Sequence, residues 1–185
     1  MKTQKFLSIA ILGLALVFGV TANAQKNVIV GGAPMHPTKN IVENAVNSKD
    51  HTTLVAAVKA GELVETLSSK GPFTVFAPTN TAFDKLPKGT VETLVKPENK
   101  TVLQGILTYH VVAGKFDSKA IAKAIKAGNG TAEFKTVQGG KIWCKMDGKK
   151  LVITDEKGNQ STVTVSDVYQ SNGVIHVIDS VIMHS

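Results

Sequence analysis

The chain has 185 residues, of which 43% are hydrophobic and 19% charged, and its 21 basic and 14 acidic residues give a formal net charge of +7. This composition fits one globular domain and excludes a disordered chain, while the single Cys excludes a fold that depends on internal disulfides. Every basic residue is Lys, so the chain lacks the planar guanidinium that proteins use to read nucleic-acid bases.

The first 24 residues have the organisation of a secretory signal peptide. Lys2 and Lys5 precede an apolar run from Phe6 to Val20, and small side chains follow at Ala22 and Ala24. A permanent anchor is the alternative, but a spanning helix needs about 20 apolar residues and this run has about 15. We therefore expect cleavage after Ala24 and a secreted or periplasmic protein without a stable membrane anchor.

The next residues are predicted to form an extended lead-in over 25–37, because they contain Gly and Pro but little periodicity, before a single domain over 38–185. Thr38 is a suitable N-cap for a first helix. The predicted buried face of that helix consists of four apolar residues: Ile41, Val42, Ala45 and Val46.

Apolar residues at helical spacing predict six more helices, and β-rich runs predict two short strands between them. The helices are expected over 52–60, around 63–67, after the capping pair at 79–80, over 91–95, over 98–109 with Val102 on the buried side, and from a cap at Asp117 or Ser118 to Ala127. The strands are expected over 73–77 and 110–113.

The C-terminal third changes to an alternating pattern that is typical of strands. Strands are predicted over 131–137, 141–146, 151–154, 161–165 and 174–183. The segments between them are rich in Gly, Asn and Asp, which tolerate the backbone of tight turns. Because helices come first and hairpins last, the sequence predicts an α+β domain and not an alternating βαβ sheet.

Three segments resemble the signature of the fasciclin-domain family. They are residues 71–86, GPFTVFAPTNTAFDKL; the Tyr109-His110 pair within LTYHVV; and residues 172–179, NGVIHVID. The resemblance extends over nearly all of the chain after the lead-in. It implies helices packed on a wedge of β-strands with a hairpin-rich C-terminal part, in a family whose members are generally adhesive and not enzymes.

The resemblance also implies four partner-binding residues. Tyr109 and His110 match a Tyr-His pair linked to cell binding in animal relatives, and Asp167 and Val168 match an Asp-Ile pair in which Val replaces Ile. The residues themselves favour a different role: the imidazole of His110 would satisfy backbone groups at a helix-to-strand junction, the phenol of Tyr109 would pack at its rim, and Asp167 would accept backbone N–H bonds.

No catalytic motif is present, and no cofactor is expected. A copper site is the metal alternative, because thioether and imidazole ligands occur in Met35-His36 and Met183-His184, with His176 in the last strand. These groups have no regular spacing, so we predict no metal site. Cys144, beside Trp143 in a strand, is predicted to be a buried apolar residue.

A basic stripe along one predicted helix consists of Lys115, Lys119, Lys123 and Lys126. Such a stripe normally keeps a helix face solvated, but it would also suit a weak contact with an acidic glycan or surface polymer.

The sequence thus predicts an exported, monomeric, non-enzymatic module for cell adhesion or for matrix and biofilm interaction. Its expected partners are cell-surface or matrix proteins or polysaccharide, and not nucleic acid. The alternative is a periplasmic carrier of a small apolar ligand or metal.

Overall fold

The computed structural model describes residues 27–185, so the predicted signal peptide over 1–24 lies outside the described residues. The helices are α1 (Ile41–Ala45), α2 (Thr52–Ala60), α3 (Val64–Ser68), α4 (Asn80–Asp84), α5 (Thr90–Leu94), α6 (Lys100–Tyr109) and α7 (Ser118–Ala127), with 3-10 turns at Lys49–His51 and Pro97–Asn99. Within 27–185, none of them has the length and apolar composition needed to span a bilayer.

The strands form one hairpin and one large sheet. They are β1 (Val28–Val30), β2 (Ala33–Met35), β3 (Phe73–Pro78), β4 (Val111–Ala113), β5 (Thr131–Lys135), β6 (Lys141–Asp147), β7 (Lys150–Thr154), β8 (Gln160–Gln170) and β9 (Gly173–Ile178). The sheet has the order β4-β3-β9-β8-β7-β6-β5. All seven helices precede the five consecutive strands β5 to β9, and the sheet is mainly antiparallel, which confirms the predicted α+β class.

One parallel pairing organises this sheet. Strands β5 to β9 form consecutive antiparallel pairs, whereas β9 lies parallel to β3, from Phe73 opposite Gly173 to Pro78 opposite Ile178. Parallel neighbours need a long connection, and here it is most of the domain. A single bridge between Val112 and Thr136 also brings the two outer strands of the sheet together.

The sheet separates two hydrophobic cores. The N-terminal core includes Ile41, Leu54, Val75, Leu107 and Ile175, and it lies between the sheet and the first six helices. The C-terminal core includes Phe76, Ile121, Ile142, Ile153 and Ile182, and α7 covers it. Successive residues of β3 enter different cores, so this strand is buried on both faces.

The segment predicted as an extended lead-in forms a hairpin instead. Val28 pairs with Met35 and Val30 with Ala33, and both Val30 and Met35 are buried in the N-terminal core. Three-residue strands are too short to show a period in the sequence, and Pro34 further hides the pattern. The folded part of the chain therefore starts before residue 38.

Two predicted core residues lie at the surface, and one predicted cap is incorrect. Val46 is 49% exposed because α1 ends before it, and Val102 is 53% exposed on the outer side of α6. Asn40, and not Thr38, caps α1: its side chain accepts from the Glu43 N–H while the Glu43 carboxylate accepts from the Asn40 N–H. Helix α2, by contrast, has the predicted bounds.

The last two strands differ in length from the prediction. Strand β8 continues to Gln170, whereas β9 ends at Ile178. The pairing register of β8 shifts between Val163 and Val165 and again between Val165 and Val168. These bulges break the alternation after Val165, which is why the sequence pattern indicated a shorter strand.

We expect Asn40→Ala to lower the free energy of unfolding by about 1 kcal/mol, because it removes a reciprocal capping pair. Thr38→Ala is the matched control and should change stability by less than about 0.5 kcal/mol, as expected for an exposed side chain. Urea denaturation of the three proteins measures the difference. A larger loss of stability for Thr38→Ala than for Asn40→Ala would indicate that Thr38 is the cap, as the sequence predicted.

Candidate functional site

Tyr109, the last residue of α6, is fully buried and connects three segments. Its hydroxyl donates to the Lys141 backbone oxygen at 2.5 Å and accepts from the Glu156 N–H at 3.1 Å. Burial raises the pKa of Tyr109 to about 12. The phenol therefore stays neutral and joins α6 to β6 and to the turn after β7, and it does not reach the surface.

His110 follows at the junction with β4 and is buried as well. The Ile182 N–H donates to its Nε2 at 3.2 Å, which leaves the proton on Nδ1, where it is donated to the Ile106 oxygen at 2.8 Å. Burial lowers the pKa of His110 to about 4. Both ring nitrogens thus serve backbone groups, as the residue-level alternative predicted.

Asp167 and Val168 lie in the bulged part of β8. Asp167 has a φ of +60°, and its carboxylate accepts from the Ser118 N–H at 2.6 Å and from the Ser118 hydroxyl. A carboxylate at this position also interacts favourably with the N-terminus of α7. Val168, on the opposite side of the strand, is buried in the N-terminal core. Asp167 therefore holds the first turn of α7 against β8.

These four residues do not form one contact surface. Tyr109, His110 and Val168 are buried, and only Asp167 remains partly accessible. A partner cannot touch a buried side chain without displacing the residues that cover it. Three of the four therefore lie inside the domain, and their part in partner binding stays a prediction.

The accessible surface beside Asp167 is a groove between α7 and strands β7 and β8. We call it the lysine groove; it has a volume of about 820 Å³ and is bordered by Lys119, Lys149 and Lys150. Hydroxyl groups from α7 and β8 also line it: Ser118, Thr162, Thr164 and Ser166. Helical spacing in the sequence indicated Lys119, whereas the position of Lys149 and Lys150 after a turn was their only signal.

An aromatic and acidic cluster stands next to this groove. The Tyr169 hydroxyl donates to the Asp117 carboxylate at 3.1 Å, and the Lys115 ammonium lies 5.1 Å from the centre of the Tyr169 ring. The N-terminal end of the predicted lysine stripe is therefore held in place by a cation–π contact. Lys115 precedes α7, so the stripe on the helix itself begins at Lys119, which also lines the lysine groove.

The groups considered for metal binding have other partners or lie apart. The ring of His176 bonds to the Phe116 oxygen and to the Asp167 N–H, and Met35 lies in the N-terminal core. From residue 27 to residue 185, no three His, Cys, Asp or Glu side chains come together in a geometry that could hold a metal ion. Cys144 is buried as predicted, and burial raises the pKa of its thiol to about 12.

Comparison with known proteins agrees with this architecture. The family described as the Fasciclin domain matches residues 49–184. The chain belongs to the Fasciclin domain family. Among its relatives, Protein sll1483 of Synechocystis is 47% identical over 179 residues, which cover 94% of this chain and 92% of that protein.

Two other relatives are matched over only part of their own length. Immunogenic protein MPB70 of Mycobacterium bovis is 38% identical over 144 residues, covering 75% of this chain and 66% of that protein. Human periostin is 32% identical over 144 residues, which are 78% of this chain but only 16% of periostin.

A solved fasciclin structure has the same fold. It is a domain pair from the insect cell adhesion molecule fasciclin I, with a TM-score of 0.71 and 18% sequence identity. The match covers 85% of this chain and 57% of the insect chain.

Burial of histidines makes this fasciclin domain sensitive to acid. Burial lowers the pKa of His51, His110 and His176, in the case of His110 from 6.5 to about 4. Below about pH 6.5 the unfolded chain binds protons at these imidazoles while the folded chain does not, so the free energy of unfolding falls as the pH drops from about 6.5 to about 4.

We expect His110→Gln to make the free energy of unfolding depend less steeply on pH, by about 1.4 kcal/mol per pH unit, because one fewer proton is taken up on unfolding. The variant should also be less stable than the parent at pH 7. Urea denaturation between pH 7 and pH 4.5 measures both quantities. Val102→Gln, at an exposed position of α6 where no titratable group is changed, should keep the parent slope. An unchanged slope for His110→Gln would show that its imidazole is protonated in the folded protein.

Proposed function

We propose that this chain is an exported, non-enzymatic binding module for cell adhesion or for extracellular-matrix and biofilm interaction. The observation that carries the proposal is the lysine groove, an open basic surface between α7 and strands β7 and β8. Membership of a family that includes a cell adhesion molecule supports the same function. Both ring nitrogens of His110 and of His176 bond within the domain, so neither of these two imidazoles is free for acid–base catalysis.

The chemistry of the groove suits an acidic polysaccharide. Lys119, Lys149 and Lys150 are exposed, and an ammonium group on a flexible stem can follow carboxylate or sulfate groups along a polymer. The neighbouring Ser and Thr hydroxyls can bond to sugar hydroxyls. Such a contact is salt-sensitive, because charges at a surface are screened over about 10 Å at 0.1 M ionic strength.

Asp179 is the one acidic side chain that lines the groove, and its charge is partly engaged. Its carboxylate accepts from the Thr162 N–H at 2.8 Å and from the Ser161 hydroxyl at 3.3 Å, and the Lys85 ammonium lies 3.9 Å away. An acidic polymer in the groove therefore meets three lysines against one carboxylate that already has partners.

The four residues implied by the resemblance support this surface in different ways. Asp167 holds Ser118 at the edge of the groove and thereby sets the distance between α7 and β8. Tyr109, His110 and Val168 stabilise the strands and helices behind it. In this proposal Asp167 is a positioning residue for partner binding, and the other three contribute through the fold.

We expect replacement of three groove lysines by Gln to weaken binding to alginate, an acidic polysaccharide, by about tenfold at low salt. The groove variant changes Lys119, Lys149 and Lys150. The matched control removes the same charge from three exposed lysines elsewhere: Lys39, Lys70 and Lys96. Calorimetry and the salt dependence of binding are the measurements, with neutral dextran as the control polymer.

The control variant should keep at least half of the parent affinity. Equal losses for the two triple variants would indicate attraction by net charge alone, and equal binding of dextran would contradict recognition of an acidic polymer. Asp167→Ala, tested for folding by circular dichroism, should bind alginate more weakly than the parent because the edge of the groove is no longer held.

A second candidate function, carriage of a small apolar ligand, is supported by a different feature. A cavity of about 250 Å³ lies in the N-terminal core beneath α1 and α2. Native mass spectrometry of the protein purified from its own host should show a retained small molecule if the protein is a carrier. The mass of the polypeptide alone would argue against carriage.

A further inference from the structure

The lysine groove has apolar residues as well as charged ones in its lining. Met146, Leu151 and Val163 contribute to it, one from each of the strands β6, β7 and β8, and we call these three residues the apolar floor. Met146 is 44% exposed, and Val163 is partly exposed. Single apolar side chains are common on protein surfaces, but adjacent ones in a groove are typical of a binding site.

The three residues of the apolar floor are neighbours across the sheet. Met146 lies directly opposite Leu151 in the β6–β7 pair, so the two side chains are on the same face. The last pair between β7 and β8 joins Val152 and Thr162, and Leu151 and Val163 are the next residues of these two strands. The apolar floor is therefore a continuous row across three strands.

This row is accessible because the elements above and beside it separate. Within the described chain, β8 pairs with β7 only over 160–162, whereas its pairing with β9 continues to Gln170. Helix α7 buries Ile121 and Ile125, but Ala122 beside them is exposed and lines the groove. The apolar floor thus lies at the edge of the area that α7 covers, and water reaches it from the groove.

Positive charges adjoin the apolar floor. Lys150 is the chain neighbour of Leu151, and Lys149 belongs to the turn that follows β6. Within 27–185, the ion pairs of the structure involve other lysines, at positions 85, 100 and 141. The ammonium groups of the groove are therefore available to an anion that also has an apolar group close to its charge.

We propose that the lysine groove recognises an acidic polysaccharide that carries O-acetyl esters, with an acetyl methyl group on the apolar floor and carboxylates at the groove lysines. The inference rests on the proposed function, because it requires that the groove bind an acidic polysaccharide. It adds the modification that the polymer carries and the residue that distinguishes it, Met146.

An acetyl ester suits both parts of this surface. Its methyl group leaves water when it covers Met146, and its carbonyl oxygen accepts from a hydroxyl such as those of Thr162 and Ser166, which line the groove. Acetylation replaces a sugar hydroxyl and leaves the carboxylates unchanged, so the polymer keeps the charge that attracts lysines. An anionic membrane also combines charge with apolar groups, but a flat bilayer does not reach the floor of a groove.

Two forms of one polymer test the proposal on the full chain. They are O-acetylated alginate and the same alginate after mild alkali has hydrolysed its esters, so both forms carry the same carboxylates. We expect the acetylated form to bind about fourfold more tightly, as the burial of one methyl group predicts. The dependence of the affinity on salt concentration should be the same for both forms, because their charge is equal. Calorimetry over a series of salt concentrations measures both quantities.

Three variants separate the apolar floor from the lysines. Met146→Gln keeps an unbranched side chain but removes its apolar end, so it should bind both forms with the affinity of the parent for the deacetylated form. Ile29→Gln is the matched control, because it removes an exposed apolar side chain outside the groove lining, and it should keep the parent preference. The triple lysine variant should bind both forms about tenfold more weakly at low salt.

The possible failures are distinguishable. If the parent binds neither form, both the proposed function and this inference are overturned. Equal binding of the two forms by the parent, or a preference that survives in Met146→Gln, would overturn the acetyl site and leave the groove as a site for the polysaccharide. Binding to vesicles of anionic phospholipid that Met146→Gln abolishes would assign the apolar floor to a membrane and would also contradict the proposal.

Discussion

The parallel pairing of β3 with β9 is the constraint on which the rest of the structure depends. It joins residues about one hundred positions apart, and its two strands begin in close contact: a Cβ on Gly173 would collide with the Phe73 backbone, and one on Gly71 with the oxygen of Asn172. The buried Asn172 side chain accepts from the Ile41 N–H and donates to the Leu67 and Ser69 oxygens. The start of β9 is thereby attached to α1 and α3. Two of the segments that resemble the family signature are this pair of strands, so the signature is mainly a description of how the sheet is assembled.

Buried or partly buried polar side chains also connect helices and strands at other junctions of the fold. Tyr109 ties α6 to β6, His110 ties it to the C-terminal segment, and Asp167 ties β8 to α7. Each of these groups bonds to a backbone atom of another segment, and leaving such an atom buried without a partner is costly. Residues that are needed for assembly can therefore affect partner binding without touching a partner, because the exposed elements depend on the junctions they hold.

The two candidate binding surfaces belong to different halves of the fold and differ in chemistry. The lysine groove is open, basic and lined by hydroxyls, which suits a hydrated polymer. The cavity in the N-terminal core is smaller and mainly aliphatic, which suits a compact apolar molecule. Since α7 forms one and α1 and α2 form the other, a change in either site is expected to leave the other intact. The two proposed functions can thus be tested separately on one domain.

The sequence by itself determined the local elements. The bounds of α2 could be predicted because apolar spacing and Gly61 act within one helix. The C-terminal hairpins could be predicted because turn residues act within a few positions of the chain. It did not reveal the β1–β2 hairpin or the bulges of β8, whose strands are too short or too irregular to carry a period. Tertiary structure alone decided that Tyr109 and His110 are internal, and that Lys149 and Met146 line the same groove as α7. The physical reason is that periodicity and capping are local, whereas burial, grooves and cavities arise from contacts between residues far apart in the chain.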